Sequence, residues 1–269
     1  MKCLGIDFGW QSQPSGLCCL EWHQGSMRLR DLVRLSEVPD ILDWVDRWAG
    51  FDQPAIVAVD APTLIPNPTG MRLPDRLTHK YFGRYHAGCY PANLGRPFAA
   101  RTVGLGLSLE ARGFVHAPIL IPQQLGRYQI EVFPHPAIVH LFRLERILKY
   151  KKGKVAERRR ELIKLRDYIL MILPTLDPPL QLAGMEPDHS LMMDVPYTSA
   201  GLKALEDQLD SLICAYVAGH WWYWGVDRNW VLGAATPEES LSTGYIIVPA
   251  HRYSTDQSTH KSTPGGTGD

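Results

Sequence analysis

Two short apolar runs of this chain end in an aspartate, "LGID" at Asp7 and "VAVD" at Asp60. Aspartate is depleted in strands and costly to desolvate without a partner, so strand propensity explains neither residue. One such acid alone reads as a turn or cap; two, on strands flanking a helix, call for something that compensates their charge. A third acid, Glu131, stands inside the apolar run "YQIEVF". Either it faces solvent at a sheet edge, or its strand pairs beside the one ending at Asp60 and brings it to the same end of the sheet. The fourth source is "EDQLDSLICA". On a helix, Leu205, Leu209, Leu212, Ile213 and Tyr216 form the buried stripe, Asp210 falls at its border and Asp207 on the adjacent line of the same face. These two are either solvated helix charges or acids delivered to the strand ends.

Acids gathered in this way repel one another unless a cation holds them. Oxygen-rich sites select hard ions, Mg²⁺ or Mn²⁺, which keep open positions for water and phosphate oxygens. Two ions about 4 Å apart activate a water and stabilise the leaving oxygen of a phosphodiester. The expectation is therefore a divalent-metal-dependent phosphodiester hydrolase with Asp7, Asp60, Glu131 and Asp210 as catalytic ligands. Asp7 bridges the ions, and Asp207 is a reserve ligand.

The elements that must position these acids follow from periodicity. "KCLGIDF", "GLCCLEW" and "MRLRDLVRL" are three strands with short connections, an antiparallel meander. "VPDILDWVDRWAG" has helical spacing with Gly50 as a stop, and "PAIVAVDAP" is a strand covered on both faces. Residues 61 to about 125 are rich in Pro, Gly, Arg and aromatics, and form an insertion after this fourth strand. "RYQIEVFPHPAIVHLF" restores a strand, a turn and a helix start, and a basic helix runs from Val155 to Leu173 before Pro174. A proline-rich connection leads to the acidic helix; "NWVLGAA" and "GYIIVPA" are short strands. One domain over 1–250 and a disordered tail over 251–269 are expected.

The 269 residues carry 28 basic and 28 acidic side chains, which withholds the strongly basic balance of many nucleic-acid binders. The charge is unevenly spread: residues 143–166 hold 11 Lys or Arg against 3 Glu, leaving 17 against 25 elsewhere. That band is either the solvated face of a helix or a contact for phosphates. In the insertion, Arg76, Arg84 and Arg101 are candidate phosphate-binding residues, and the interleaved tyrosines either stack on bases or simply pack. His79, His86 and Cys89 lack a fourth ligand at a zinc-like spacing. The five cysteines form no paired framework. Asp7 interrupts any signal-peptide core, no apolar run is long enough to span a membrane, and a cytoplasmic location is expected.

The order of these elements resembles the ribonuclease H-like fold. "GIDFGW" is similar to that superfamily's first-strand aspartate motif, "VAVDAP" to the fourth-strand acid of its Holliday-junction resolvase branch, and "DQLDSLICA" to the resolvases' D-x-x-D helix. Together, "GIDFGW", "VDAPT", "EVFPHPA" and "DQLDSLICA" more closely resemble the family called domain of unknown function 429, described as predicted ribonuclease H-like nucleases. That resemblance covers residues 1 to about 220. It implies an α/β fold with a mixed five-stranded sheet, its first three strands antiparallel, flanked by helices. It further implies a metal site, with Glu131 assigned through the family's E-x-x-P stretch, and nucleic acid as the partner. Departing from the classical pattern, the first helix offers Asp43 and Asp46 beside tryptophans, and that role is not carried over to either. A noncatalytic module binding nucleic acid or a partner protein is the rival expectation. An actin-like ATP-dependent phosphotransferase ranks lower, because the second Gly-rich phosphate hairpin is missing.

Overall fold

Side-chain alternation in the first strands fixes the layering. In β1 (Lys2–Asp7), Leu4 and Ile6 join one core while Cys3 joins another on the opposite face; in β2 (Ser15–His23), Leu17 and Cys19 oppose Cys18 and Leu20 in the same way. β3 (Ser26–Leu35) completes the expected antiparallel meander. In α1 (Val38–Trp48), Ile41, Trp44 and Val45 are buried, and the Asp31 carboxylate accepts from Nε1 of Trp44 at 2.8 Å and of Trp48 at 3.0 Å. β4 (Ala55–Val59), buried at every residue, returns parallel to β1. Residues 61–125, expected from sequence as an insertion, supply α2 (Leu73–Phe82), α3 (Ala99–Glu110) and β5 (Val115–His116), the last of which pairs within the main sheet. The chain continues through β6 (Arg127–Glu131), α4 (Pro134–Phe142), α5 (Val155–Ile172), β7 (Leu180–Gln181) and α6 (Ser199–Trp224). β8 (Asn229–Leu232), α7 (Pro237–Thr243) and β9 (Ile246–Pro249) follow. This computed structural model describes residues 1–11, 14–182 and 191–250; the tail over 251–269 lies outside the described residues.

The main sheet has the order β5-β6-β4-β1-β2-β3-β7, with β6 parallel to β4. It is the expected mixed α/β sheet, but with seven strands rather than five. The two additional edge strands, β5 and β7, are two residues long, too short to carry a periodic signal. β8 and β9 pair as a separate antiparallel ribbon. α1 and α3 cover one face, and α4, α5 and α6 the other. Among the described residues, no helix is long and apolar enough to cross a membrane.

Two glycines let α6 lie directly on the sheet. A Cβ on Gly5 would stand 2.1 Å from the Ser211 carbonyl oxygen and 2.3 Å from the Ala215 nitrogen; one on Gly16 would stand 1.8 Å from the Asp207 carbonyl oxygen. The backbone of the acidic helix therefore rests on β1 and β2 where only a hydrogen fits.

Candidate active site

Strand register sorts the acids. β1 and β4 run parallel with Ile6 opposite Val59, so Asp7 and Asp60 come next in the same row and project to the same face, the one α6 covers. β4 and β6 pair with Val59 opposite Glu131. Glu131 is thus one residue out of step with Asp60 and turns toward the opposite face, beside the insertion. All three stand at the carboxyl ends of parallel neighbours, where open α/β sheets bind ligands. Only two of them share a side.

Asp7 and Asp60 stand close enough for the charge of Asp60 to act on the Asp7 carboxyl. Burial pushes Asp7 well above the carboxylate range, aided by repulsion from Asp210, Asp60 and Asp207 and opposed by Lys151. Burial likewise raises Asp60 to about 6. Asp210, fully buried on α6, accepts from the Tyr150 hydroxyl at 2.8 Å and pairs with Lys151 Nζ at 2.7 Å. Burial pulls the Lys151 ammonium down, but Asp210, Asp7, Tyr150 and Asp60 more than reverse this, and it stays charged. Asp207 is engaged by Arg34 Nε at 2.7 Å and by Lys203 Nζ at 2.7 Å. Among the described residues, Asp7 and Asp60 have no such ion pair.

Glu131 is committed elsewhere. Its two oxygens accept from Nη1 and Nη2 of buried Arg72 at 2.8 and 2.7 Å, and Arg72 Nη2 also reaches Asp75 Oδ1 at 2.8 Å. Burial pushes the Glu131 carboxyl up, and the guanidinium pulls it back toward the charged form. The other Asp75 oxygen accepts from the Ala92 amide at 2.9 Å, so this ion cluster ties the insertion to the sheet.

Asp7, Asp60, Asp207, Glu131 and Asp75 border a cleft of about 590 Å³, with Asp210 buried behind it. Its cations are Arg72, Lys151, Lys152 and Lys203, not the three arginines expected from sequence. Arg76 donates to the Met71 carbonyl at 2.9 Å, Arg84 packs on and bonds its neighbour Tyr85, and Arg101 donates to the Gly9 carbonyl at 2.9 Å. Of these, Arg101 holds the loop after Asp7, while the other two serve only their own surroundings. The basic band divides in a similar way. Arg158 donates to the Tyr150 carbonyl at 3.0 Å, Arg159 to Val195 and Arg166 to Met193, whereas Lys151 and Lys152 face the cleft. His135 also lines the cleft, and its Nε2 is buried with no hydrogen-bond partner. Burial and the Lys151 charge lower it to about 3, so the ring is neutral. Sequence reasoning missed Lys203, His135 and Tyr150, and offered Lys151 and Lys152 only within the basic band that was either solvated or phosphate-binding.

The family described as protein of unknown function (DUF429) matches residues 5–227, from β1 to just past α6. The chain belongs to the DUF429 family. Every acid discussed above lies inside the matched span, as do Lys151 and Lys203. No curated protein and no solved structure matches this DUF429 chain.

Donor chemistry tests whether a hard cation suits the site. Asp7 and Asp60 are adjacent oxygen donors whose mutual repulsion a divalent ion would relieve, and Asp210 stands near them behind Lys151. Glu131 and Asp207, the further ligands a second ion needs, are held by Arg72 and by Arg34 with Lys203. Among the described residues, no three His, Cys, Asp or Glu side chains already stand as a ligand shell, and His79 bonds the Cys89 carbonyl instead. The residues fit one hard cation in kind and do not fit two.

Proposed function

We propose that this DUF429 protein is a ribonuclease H-like nuclease that hydrolyses phosphodiester bonds of nucleic acid at this cleft, with Mg²⁺ or Mn²⁺ held by Asp7 and Asp60. The observation that carries the reading is the pair of same-row carboxyls at the ends of β1 and β4, both lining a lysine-bordered cleft. When bound, the cation supplies Lewis-acid activation of water and of a phosphoryl oxygen. The chain's own residues do the rest. Lys152 draws the phosphate into the cleft, beside Lys203, whose charge is already shared with Glu206 and Asp207. Asp210 and Tyr150 hold Lys151 beside the acid pair, placing a fixed positive charge where negative charge would build on the phosphate. Neutral His135 can donate or accept at the same wall without repelling a cation.

The test is Mn²⁺ calorimetry joined to oligonucleotide cleavage. Asp7→Asn is expected to abolish both metal binding and Mn²⁺-dependent cleavage while leaving the fold intact by circular dichroism. Full activity in Asp7→Asn removes that residue from the mechanism. A second reading, a noncatalytic binding module, is favoured by the pairing of Glu131, Asp207 and Asp210 with protein cations. It predicts a wild type that binds nucleic acid but takes up no Mn²⁺.

A further inference from the structure

We infer that the cleft accepts a single unstacked nucleotide unit, its ring against an aromatic wall and its phosphate against the lysines; this rests on the phosphodiester reading above for the role of the acid end. Trp10, Tyr90, Phe98 and Phe133 line the cleft together with the acids and lysines. Trp10 is fixed by a hydrogen bond from Nε1 to the Asp60 carbonyl at 3.0 Å and by Phe98, with ring centroids 4.5 Å apart. The ring wall therefore begins at the residue that carries one of the paired carboxyls. Tyr90 is 68% exposed, so its ring is available to a ligand rather than spent on the core. It is nonetheless placed. Asp75 bonds the Ala92 amide at 2.9 Å and the Cys89 Sγ packs on the Asp75 carbonyl at 3.7 Å, so the residues on either side of Tyr90 hang from the Arg72–Glu131 ion pair. Glu131 thus acts on the cleft as a positioning residue, through Arg72 and Asp75, for the wall that carries Tyr90. A space of about 590 Å³ is of the size that encloses one small ligand. A paired base in a duplex hides its ring faces, whereas an unpaired one offers them to stacking.

One nucleotide unit comes from two sources, a free mononucleotide or the unpaired stretch of a strand, and calorimetry without divalent metal separates them. The probes are adenosine 5′-monophosphate, ribose 5-phosphate, a ten-nucleotide single strand and its duplex, each titrated into wild type, Tyr90→Phe and Tyr90→Ala. The expected result is that the base-bearing ligand binds more tightly than ribose 5-phosphate. Tyr90→Phe should keep this advantage, and Tyr90→Ala should weaken it by about tenfold to a hundredfold. Whichever of mononucleotide and single strand binds more tightly names the source. Equal binding of adenosine 5′-monophosphate and ribose 5-phosphate, or an affinity unmoved by Tyr90→Ala, overturns the inference. Because Tyr90 is exposed, loss of the fold does not mimic the effect. Cleavage that persists with Tyr90-independent binding sinks this inference and leaves the hydrolase reading standing. Tyr90-dependent binding in a protein that takes up no Mn²⁺ and cuts nothing does the reverse.

Discussion

Adding one methyl group at Gly5 should lift the acidic helix off the sheet. The new Cβ would lie 2.1 Å from the Ser211 oxygen and 2.3 Å from the Ala215 nitrogen, where real contacts stay beyond 3.0 Å. Both obstacles are helix backbone, so no side-chain rotation relieves the clash; α6 must retreat by the better part of an ångström or β1 must buckle. Overpacking of this kind costs about 1–3 kcal/mol, and rigid backbone on both sides puts Gly5→Ala toward the upper end. For a chain of this size, that lowers the melting temperature by roughly 4–12 °C. Gly104→Ala adds the same methyl within α3 where nothing lies within 4 Å. It should stabilise by up to about 1 kcal/mol through helix propensity alone. Thermal unfolding followed by circular dichroism measures both, and opposite signs are expected from identical chemistry. A Gly5→Ala protein that melts with the wild type would refute the close seating of α6, and with it the account of how Asp210 reaches the strand ends.

Two further outcomes follow from the ion pairs and the acid pair. Arg72→Met strands Glu131 and Asp75 as buried charges and should cost about 3–5 kcal/mol by denaturant unfolding; the double variant with Glu131→Leu should recover part of that, and no recovery would mean that Arg72 acts by packing alone. Asp60 holds its proton to about pH 6 in the folded protein against about 3.9 in an unfolded chain, so its contribution to stability is full below pH 4 and lost as the pH rises through 6. The metal-free protein should therefore lose stability between pH 4 and 7, and Asp60→Asn should flatten that part of the curve; an unchanged slope in the variant would assign the titration to another group.

Much of the architecture was legible in the residues. The three-strand meander, α1, the buried β4 and the amphipathic α5 each carry an apolar period set by their own geometry, and local periodicity survives without knowledge of neighbours. Leu162, Leu165 and Ile169 are the buried line of α5, as their spacing implies. Asp7 and Asp60 were legible for a similar reason: a charge closing an apolar strand conflicts with its surroundings wherever the strand sits.

Partnership was not legible, because it depends on register and on which surfaces meet. A single residue of offset between β4 and β6 turns Glu131 away from Asp60 and into the hands of Arg72, and no property of "YQIEVF" encodes that offset. Arg76, Arg84 and Arg101 have the same chemistry as Arg72, yet only the packing of the insertion against the sheet decides which guanidinium enters the cleft. Lys151 lay within the basic band, but its seat beside Asp210 exists only because Gly5 and Gly16 let α6 settle on the strands. The kinds of residue that could do chemistry were written in one dimension; which of them face one another was decided in three, since strand parity and close backbone contact are relations between segments far apart in the chain.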